Sequence, residues 1–352
     1  MTDEDLAALI VAARQAVGAE RTDDYIIQPT VHAGQLAATA PALAAILRKA
    51  ALSVLAEEYE RNDKQAIENQ VAFKTAASRA NWAVFLTACF SALLLVANPL
   101  SSAGHIPFRV LVAMFGVCAV ISGGLASMWL FQVKGGNLLG SWMGARAAAE
   151  ALRAQYFEGV ISFAPAAGGS SIPLPLLQLE YFLRYQFDVQ VAFFGRRAAD
   201  HNREAGLMLK LSAGAVALAS ISAGLAVVLG VSYPRWVSIA VLASIATALS
   251  SFAATKEDVS QNRRNAERYN NARSALALLK VKLDDVRAAA ANGQSEPIQQ
   301  FVAATHEQIF AEHRQWLAAV QNVQPAIDQL DETLAKLKAK VDPSQSSATA
   351  AR

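Results

Sequence analysis

VLVAMFGVCAVISGGLASMWLFQV, residues Val110–Val133, contains no Asp, Glu, Lys or Arg. A hydrocarbon core of about 30 Å requires about 20 helical residues. Inside lipid the backbone must satisfy its own hydrogen bonds, so the stretch reads as a transmembrane helix. Three more charge-free stretches flank it: 81–108, with its apolar part at Trp82–Leu100, then 211–234 and 236–255. Buried helices of a soluble protein are the competing reading. Such helices are seldom this long and uncharged, and the arrangement in two close pairs favours four membrane spans.

The composition agrees. Of 352 residues, 54% are apolar and 17% charged, and the mean hydropathy is +0.26. Soluble domains average about 25% charged residues, so the chain is too charge-poor to be wholly soluble and too charged to lie wholly in a membrane. A net charge of +2 gives no excess to draw nucleic acid, which is not expected as a partner. Two cysteines exclude a disulfide framework, and five histidines leave little for a zinc cluster. A signal peptide is not expected, because an acidic Thr2-Asp3-Glu4-Asp5 opens the chain and the first apolar run lies far downstream.

The spans pair through short turns, 101–109 and 232–235, each with one arginine (Arg109 and Arg235). The regions 1–80, 134–210 and 256–352 hold 8, 8 and 13 Lys and Arg residues. The positive-inside rule assigns these long regions to the cytoplasm, with both termini there. The expected organisation is an all-α membrane protein with four transmembrane helices as two tandem hairpins and long cytoplasmic helices. It comprises an N-terminal segment 1–45, a first repeat 46–163 (spans about 82–100 and 110–133) and a linker 164–175. A second repeat 176–291 (spans about 211–233 and 236–255), a helix 292–341 and a disordered tail 342–352 complete it.

An internal duplication underlies the term repeat. Gln70-Val-Ala-Phe73 precedes the first hairpin and Gln190-Val-Ala-Phe193 the second; Arg146-Ala-Ala-Ala-Glu150 follows the first and Arg263-Arg-Asn-Ala-Glu267 the second. The two copies share one orientation, unlike the inverted repeats of many transporters. Outside the spans, Leu43–Ala80, Leu139–Phe163, Leu176–Ala205, Lys256–Ala291 and Ile298–Val341 read as helices. Leu276, Leu279, Leu283 and Val286 recur on one face, and Asn292-Gly293 is a break. Residues 164–175 read as a plain loop, and 20–34 are the one candidate for non-helical structure of interest.

No catalytic constellation emerges, so neither enzyme activity nor a cofactor or metal is expected. His306 and His313 are seven apart, too far for a helical zinc pair, and read as a solvated face. Gly168-Gly169 follows no strand and precedes no Lys-Ser/Thr, so it is no phosphate loop. His201, beside Asp200 and Glu204, reads as an ordinary face. The spans hold no ionisable residue, which argues against an ion-coupled carrier. They do hold small residues in four-spaced rows, including Gly123 and Gly124, which favour close helix packing or self-association. Candidate gating and packing residues are therefore Arg146, Glu150, Arg263, Glu267, Gly123 and Gly124. An i,i+4 ion pair contributes only a few tenths of a kcal/mol. If the copies pack together, each Arg can instead reach a Glu of the other copy, Arg146 to Glu267.

The run Trp142-Met-Gly-Ala-Arg146-Ala-Ala-Ala-Glu150-Ala-Leu152-Arg153-Ala-Gln-Tyr156-Phe157, directly after a two-span hairpin, resembles the SLATT superfamily of paired-transmembrane bacterial proteins. Arg263-x-x-x-Glu267 with Tyr269 and Leu276 is a weaker second likeness, and together the two cover roughly 57–163 and 176–283. The resemblance implies a bacterial inner-membrane effector, associated with nucleotide-signalled conflict and anti-phage systems and proposed to form pores or disrupt membranes. No sensor domain is evident, so the sensor would have to be a separate cytoplasmic protein, or the unassigned ends at 1–45 and 290–341 would have to do the job; the lipid bilayer and further copies of the chain are the other expected partners. A membrane-anchored scaffold for cytoplasmic partners is the alternative function.

Overall fold

The computed structural model describes residues 2–18, 26–102, 106–163, 171–232 and 239–320, with positions 328 and 332. The described residues are mostly helical, and there is no strand among them. In chain order the helices are α1 (Asp3–Val17), α2 (Pro29–Leu36), α3 (Pro41–Leu47), α4 (Ala50–Ser102), α5 (Ile106–Gly135) and α6 (Leu138–Ser162). Then come α7 (Leu174–Phe182), a π turn (Leu183–Phe187), α8 (Asp188–Ser232), α9 (Ala240–Ser260), α10 (Asn262–Lys280), α11 (Leu283–Ala291) and α12 (Glu296–Val320).

Three helices are long and apolar enough to cross a membrane, within Ala50–Ala97, Arg109–Gly135 and Leu174–Leu229. The fourth expected span, 236–255, starts outside the described residues, and α9 carries Lys256, Glu257 and Asp258 in its last turns. Two other expectations need correction. The segment 20–34 is not wholly irregular, because Pro29 opens helix α2; proline suits a helix's first position, where no N–H is needed. Lys256–Ala291 is not one helix. It stops at Gln261, whose φ of 50° is left-handed, and again between Lys280 and Leu283. The expected tail, 342–352, and most of the helix beyond Val320 lie outside the described residues.

The chain divides into two compact units. The first comprises 1–69, 140–201 and 264–318. Its core gathers Leu43, Ile46 and Leu47 of α3, Leu52 of α4, Tyr156 and Phe157 of α6, and Leu176, Leu177 and Phe182 of α7. Leu276, Leu283 and Val286 join it from α10 and α11, as their spacing predicts. Each such side chain contributes about 1.5–3 kcal/mol by leaving water.

The second unit comprises 70–139, 202–263 and 319–352. Its helices meet through aromatic contacts, such as Trp82 and Phe85 of α4 on Phe252 of α9, and through small and polar side chains. The Thr87 hydroxyl of α4 donates to Ser122 of α5 at 2.9 Å, Asn81 of α4 donates to the Phe252 carbonyl of α9 at 3.1 Å, and Ser212 of α8 and Ser250 of α9 pair at 2.9 Å. Many large apolar side chains point outward: Val120 and Phe131 on α5, Leu209, Val227 and Val228 on α8. Outward apolar surface on this scale is the pattern of a lipid-facing bundle.

Candidate functional site

Between α5 and α6 the backbone turns sharply. A Cβ on Gly136 would lie 2.6 Å from the Gln132 carbonyl oxygen, so only glycine fits there, and Asn137 follows with φ 44°. This turn starts α6, whose early turns carry Arg146 and Glu150. One guanidinium nitrogen of Arg146 lies 2.6 Å from the Glu150 carboxylate, and the other lies 3.6 Å from Asp63 of α4. Arg146, Glu150, Gln190 and Phe194 of α8, and Ile309 and Glu312 of α12 line one small cleft within the first unit. The cleft has room for about one water molecule, not for an organic ligand. Arg268 and Tyr269 of α10 complete the cluster through their charge interactions with Glu312.

Burial works against the Arg146 charge, but Glu150, Tyr269 and Asp63 outweigh it and hold the guanidinium protonated. Burial raises Asp63 above the usual carboxylate range, opposed by Arg146. It pushes Glu312 up to about 7, with Arg146 and Arg268 opposing and Glu150 assisting. Tyr269 rises to about 12 by burial, then by the proximity of Glu312.

The neighbouring Arg153 acts as a clamp. Its Nε donates to Gln186 Oε1, one terminal nitrogen donates to the Tyr59 hydroxyl at 3.0 Å and the other to the Tyr185 carbonyl at 2.8 Å. Both Tyr185 and Gln186 lie in the π turn. Such a turn interrupts the regular i→i−4 ladder, and here its Tyr185 carbonyl accepts from a side chain. Arg153 therefore ties α4 and α6 to the segment that leads into α8.

The candidate residues from the two copies end differently. Arg146 and Glu150 belong to the cluster. Arg263 and Glu267 are exposed, and the Arg263 backbone N–H donates to Glu257 at 2.8 Å. The expected Arg146–Glu267 pairing is thus corrected: among the described residues Arg146 pairs with Glu150 and Asp63. Arg268 and Tyr269 occupy the interior instead, because residues next to Glu267 point about 100° around the helix from it. Gly123 is buried, and Gly124 faces open space.

His306 is also corrected. It is 3% exposed, and its Nδ1 lies 3.0 Å from Glu158 of α6. Its neighbours on the same face of α12, Phe301, Val302, Thr305 and Ile309, are buried, so that face is interior rather than solvated. The side chain of His313 lies outside the described residues. His201 stacks on Tyr269.

Sequence reasoning missed Asp63, Gln190, Arg268 and Glu312. Gln190 had a signal, as the first residue of the duplicated Gln-Val-Ala-Phe; the other three had none in local spacing. No curated protein and no solved structure matches the chain. A family model does match, and it runs from the end of α7 into α12 rather than over the Arg146 run. Residues 182–316 match the SLATT family, described as the SMODS and SLOG-associating 2TM effector domain 1, which implies a bacterial conflict-system membrane effector.

Proposed function

We propose that the chain is a self-associating, non-enzymatic effector of the bacterial inner membrane that forms a pore or otherwise perturbs the bilayer. In this reading four spans form two tandem SLATT-like hairpins, both termini are cytoplasmic, and a separate sensor protein supplies the trigger in anti-phage or conflict signalling. The observation that carries it is the extent of the match. Residues 182–316 hold the apolar α8–α9 pair together with α10 and α12, which supply Arg268, Tyr269 and Glu312 to the charge cluster. Helices α4 and α8 run unbroken from the first unit into the second, and α6 and α10 begin directly after α5 and α9. A rearrangement of the cluster therefore has a short covalent route to the apolar helices.

The test is release of an encapsulated dye from liposomes of anionic bacterial lipid carrying the full chain. Leakage that rises steeply with protein density supports a multi-subunit perturbant. Tight liposomes at high density would reject it and leave the scaffold function. Orientation is tested separately with single cysteines in a background lacking Cys89 and Cys118. A cysteine at Ser102 should label from outside and one at Gly169 only from inside; the reverse would overturn the topology.

A further inference from the structure

From Asn69 to Ala149 the chain contains no Asp or Glu. The stretch includes the apolar half of α4 and the whole of α5. Lys74, Arg79 and Lys134 lie at one end of this helix pair and Arg109 at the other. Lys134 pairs with Asp328 at 2.9 Å. Arg79 is not neutralised: among the described residues its guanidinium makes no hydrogen bond or ion pair. It is exposed and lies over the indole of Trp129, 4.7 Å from the ring centroid. A contact with the ring face leaves the N–H donors of Arg79 available.

The Arg79–Trp129 and Thr87–Ser122 contacts run in opposite order along α4 and α5, so the two helices are antiparallel. Arg79 stands just before the charge-free stretch, and below it both helices turn apolar side chains outward. Trp82 and Leu86 follow Arg79 on its face of α4, and Leu125 and Ile121 continue from Trp129 on its face of α5. All four are between 41% and 57% exposed. An unneutralised cation therefore heads two apolar ladders.

We propose that this face of α4 and α5 binds one anionic phospholipid, its phosphate on Arg79 and its acyl chains along the two ladders. The site rests on the membrane reading of these helices and not on pore formation. Charge at one end and apolar surface below match an amphiphile rather than a soluble anion. A guanidinium can give two parallel N–H bonds to phosphate oxygens, and tryptophan at that level suits the headgroup region. The missing acids decide the charge of the headgroup. A choline or ethanolamine would bring a second cation beside Arg79 and find no carboxylate of α4 or α5 to receive it. Helix α9 brings Glu257 and Asp258 to the same end of the unit, but Lys256 adjoins them, and Glu257 accepts from the Arg263 backbone N–H at 2.8 Å.

The experiment is tryptophan quenching by brominated lipid. The full chain keeps Trp129 as its sole tryptophan, with Trp82, Trp142, Trp236 and Trp316 replaced by phenylalanine, in phosphatidylcholine liposomes. Brominated phosphatidylglycerol should quench at about fivefold lower mole fraction than brominated phosphatidylcholine, the preference expected of about one cation. Arg79→Gln should erase that difference while phosphatidylcholine quenching stays the same, which shows the variant still seated in the bilayer. Arg109→Gln should keep the difference. Equal quenching by the two lipids before any change at Arg79, or an undiminished preference in Arg79→Gln, overturns the site. A salt titration guards against a variant that does not fold. With Arg79 intact, raising salt from about 0.1 M to about 1 M should shrink the preference, and a preference that persists in full overturns its assignment to an exposed cation. Excess inorganic phosphate should leave the preference intact; its loss would make this a site for free phosphate and overturn the lipid. Quenching by neither lipid at any protein density overturns the membrane reading together with the site. Quenching lost only at high density gives the face to a second copy and overturns the lipid site alone.

Discussion

Arg287 of α11 and Glu180 of α7 form a buried ion pair, with Nε 2.6 Å from Oε1. Arg14 of α1 approaches the other carboxylate oxygen at 3.5 Å, so one acid links three helices of the first unit. Removing one partner of a buried pair leaves an uncompensated charge, which costs about 3–5 kcal/mol. Arg287→Ala and Glu180→Ala should each lower the thermal midpoint of the full chain markedly in detergent. Arg14→Ala, at a half-exposed position, should have a much smaller effect. The double change Glu180→Met with Arg287→Leu should recover most of the loss, because two apolar groups restore packing without stranding a charge. A double variant less stable than either single one would mean that the pair contributes more than mutual neutralisation.

The two Arg–Glu pairs offer a second contrast. Arg146 sits in the cluster, between Glu150 and Asp63, whereas Arg263 and Glu267 are exposed. Exposed pairs contribute about 0–1 kcal/mol, so Arg263→Ala should leave the melting midpoint almost unchanged. Arg146→Ala should lower it clearly, because it strands the Asp63 and Glu150 carboxylates without their shared cation. Arg146→Lys should rescue only partly, since an ammonium cannot present the planar guanidinium fork that reaches both acids. Equal effects of Arg146→Ala and Arg263→Ala would make the cluster structurally unimportant.

Much of this architecture is legible in the sequence, for a physical reason. Charge is so costly in lipid that its absence over twenty residues marks a span without any tertiary information. The break at Asn137 is similarly readable, since Gly135-Gly136 precede it. The break at Gln261 is not, because glutamine has no special preference for left-handed backbone. The charge cluster was half legible. Arg146 and Glu150 announce themselves by helical spacing next to a span. Asp63 and Glu312 are distant in sequence, on helices whose neighbouring residues are polar, and only tertiary packing turns them inward. The reading of His306 fails for a related reason: Glu307 and Arg314, near it in α12, describe the exposed face of that helix.

His306 carries a pH dependence of its own. Its imidazole is buried between Phe182, Phe310 and the Glu158 carboxylate. Burial lowers its pKa below the ordinary 6.5, with Glu158 opposing. The folded state therefore binds this proton less readily than the unfolded chain. The stability from a neutral His306 is complete above about pH 6.5 and declines as pH falls below it. His306→Phe should flatten the acid limb of a stability–pH profile, while Glu158→Gln, which removes the opposing carboxylate, should steepen it. An unchanged acid limb in His306→Phe would assign that limb to other groups.

Gly123 and Gly124 are adjacent in α5 yet answer different questions. Gly123 is buried within the second unit, and its carbonyl accepts from the Ser127 hydroxyl at 3.0 Å. Nothing lies within 4 Å of where a Cβ would sit on Gly124. Gly123→Leu forces a large side chain into packed helices, and overpacking of this kind costs about 1–3 kcal/mol or more. It should lower the thermal midpoint whether or not the protein self-associates. Gly124→Leu meets no clash within one chain and should leave the midpoint of an isolated copy unchanged. If small residues on that outward face let a second copy approach closely, Gly124→Leu should still shift the full chain toward smaller species in light scattering from detergent. It should also weaken density-dependent leakage. A Gly124→Leu protein that assembles and leaks like the parent would remove this face of α5 from any subunit contact.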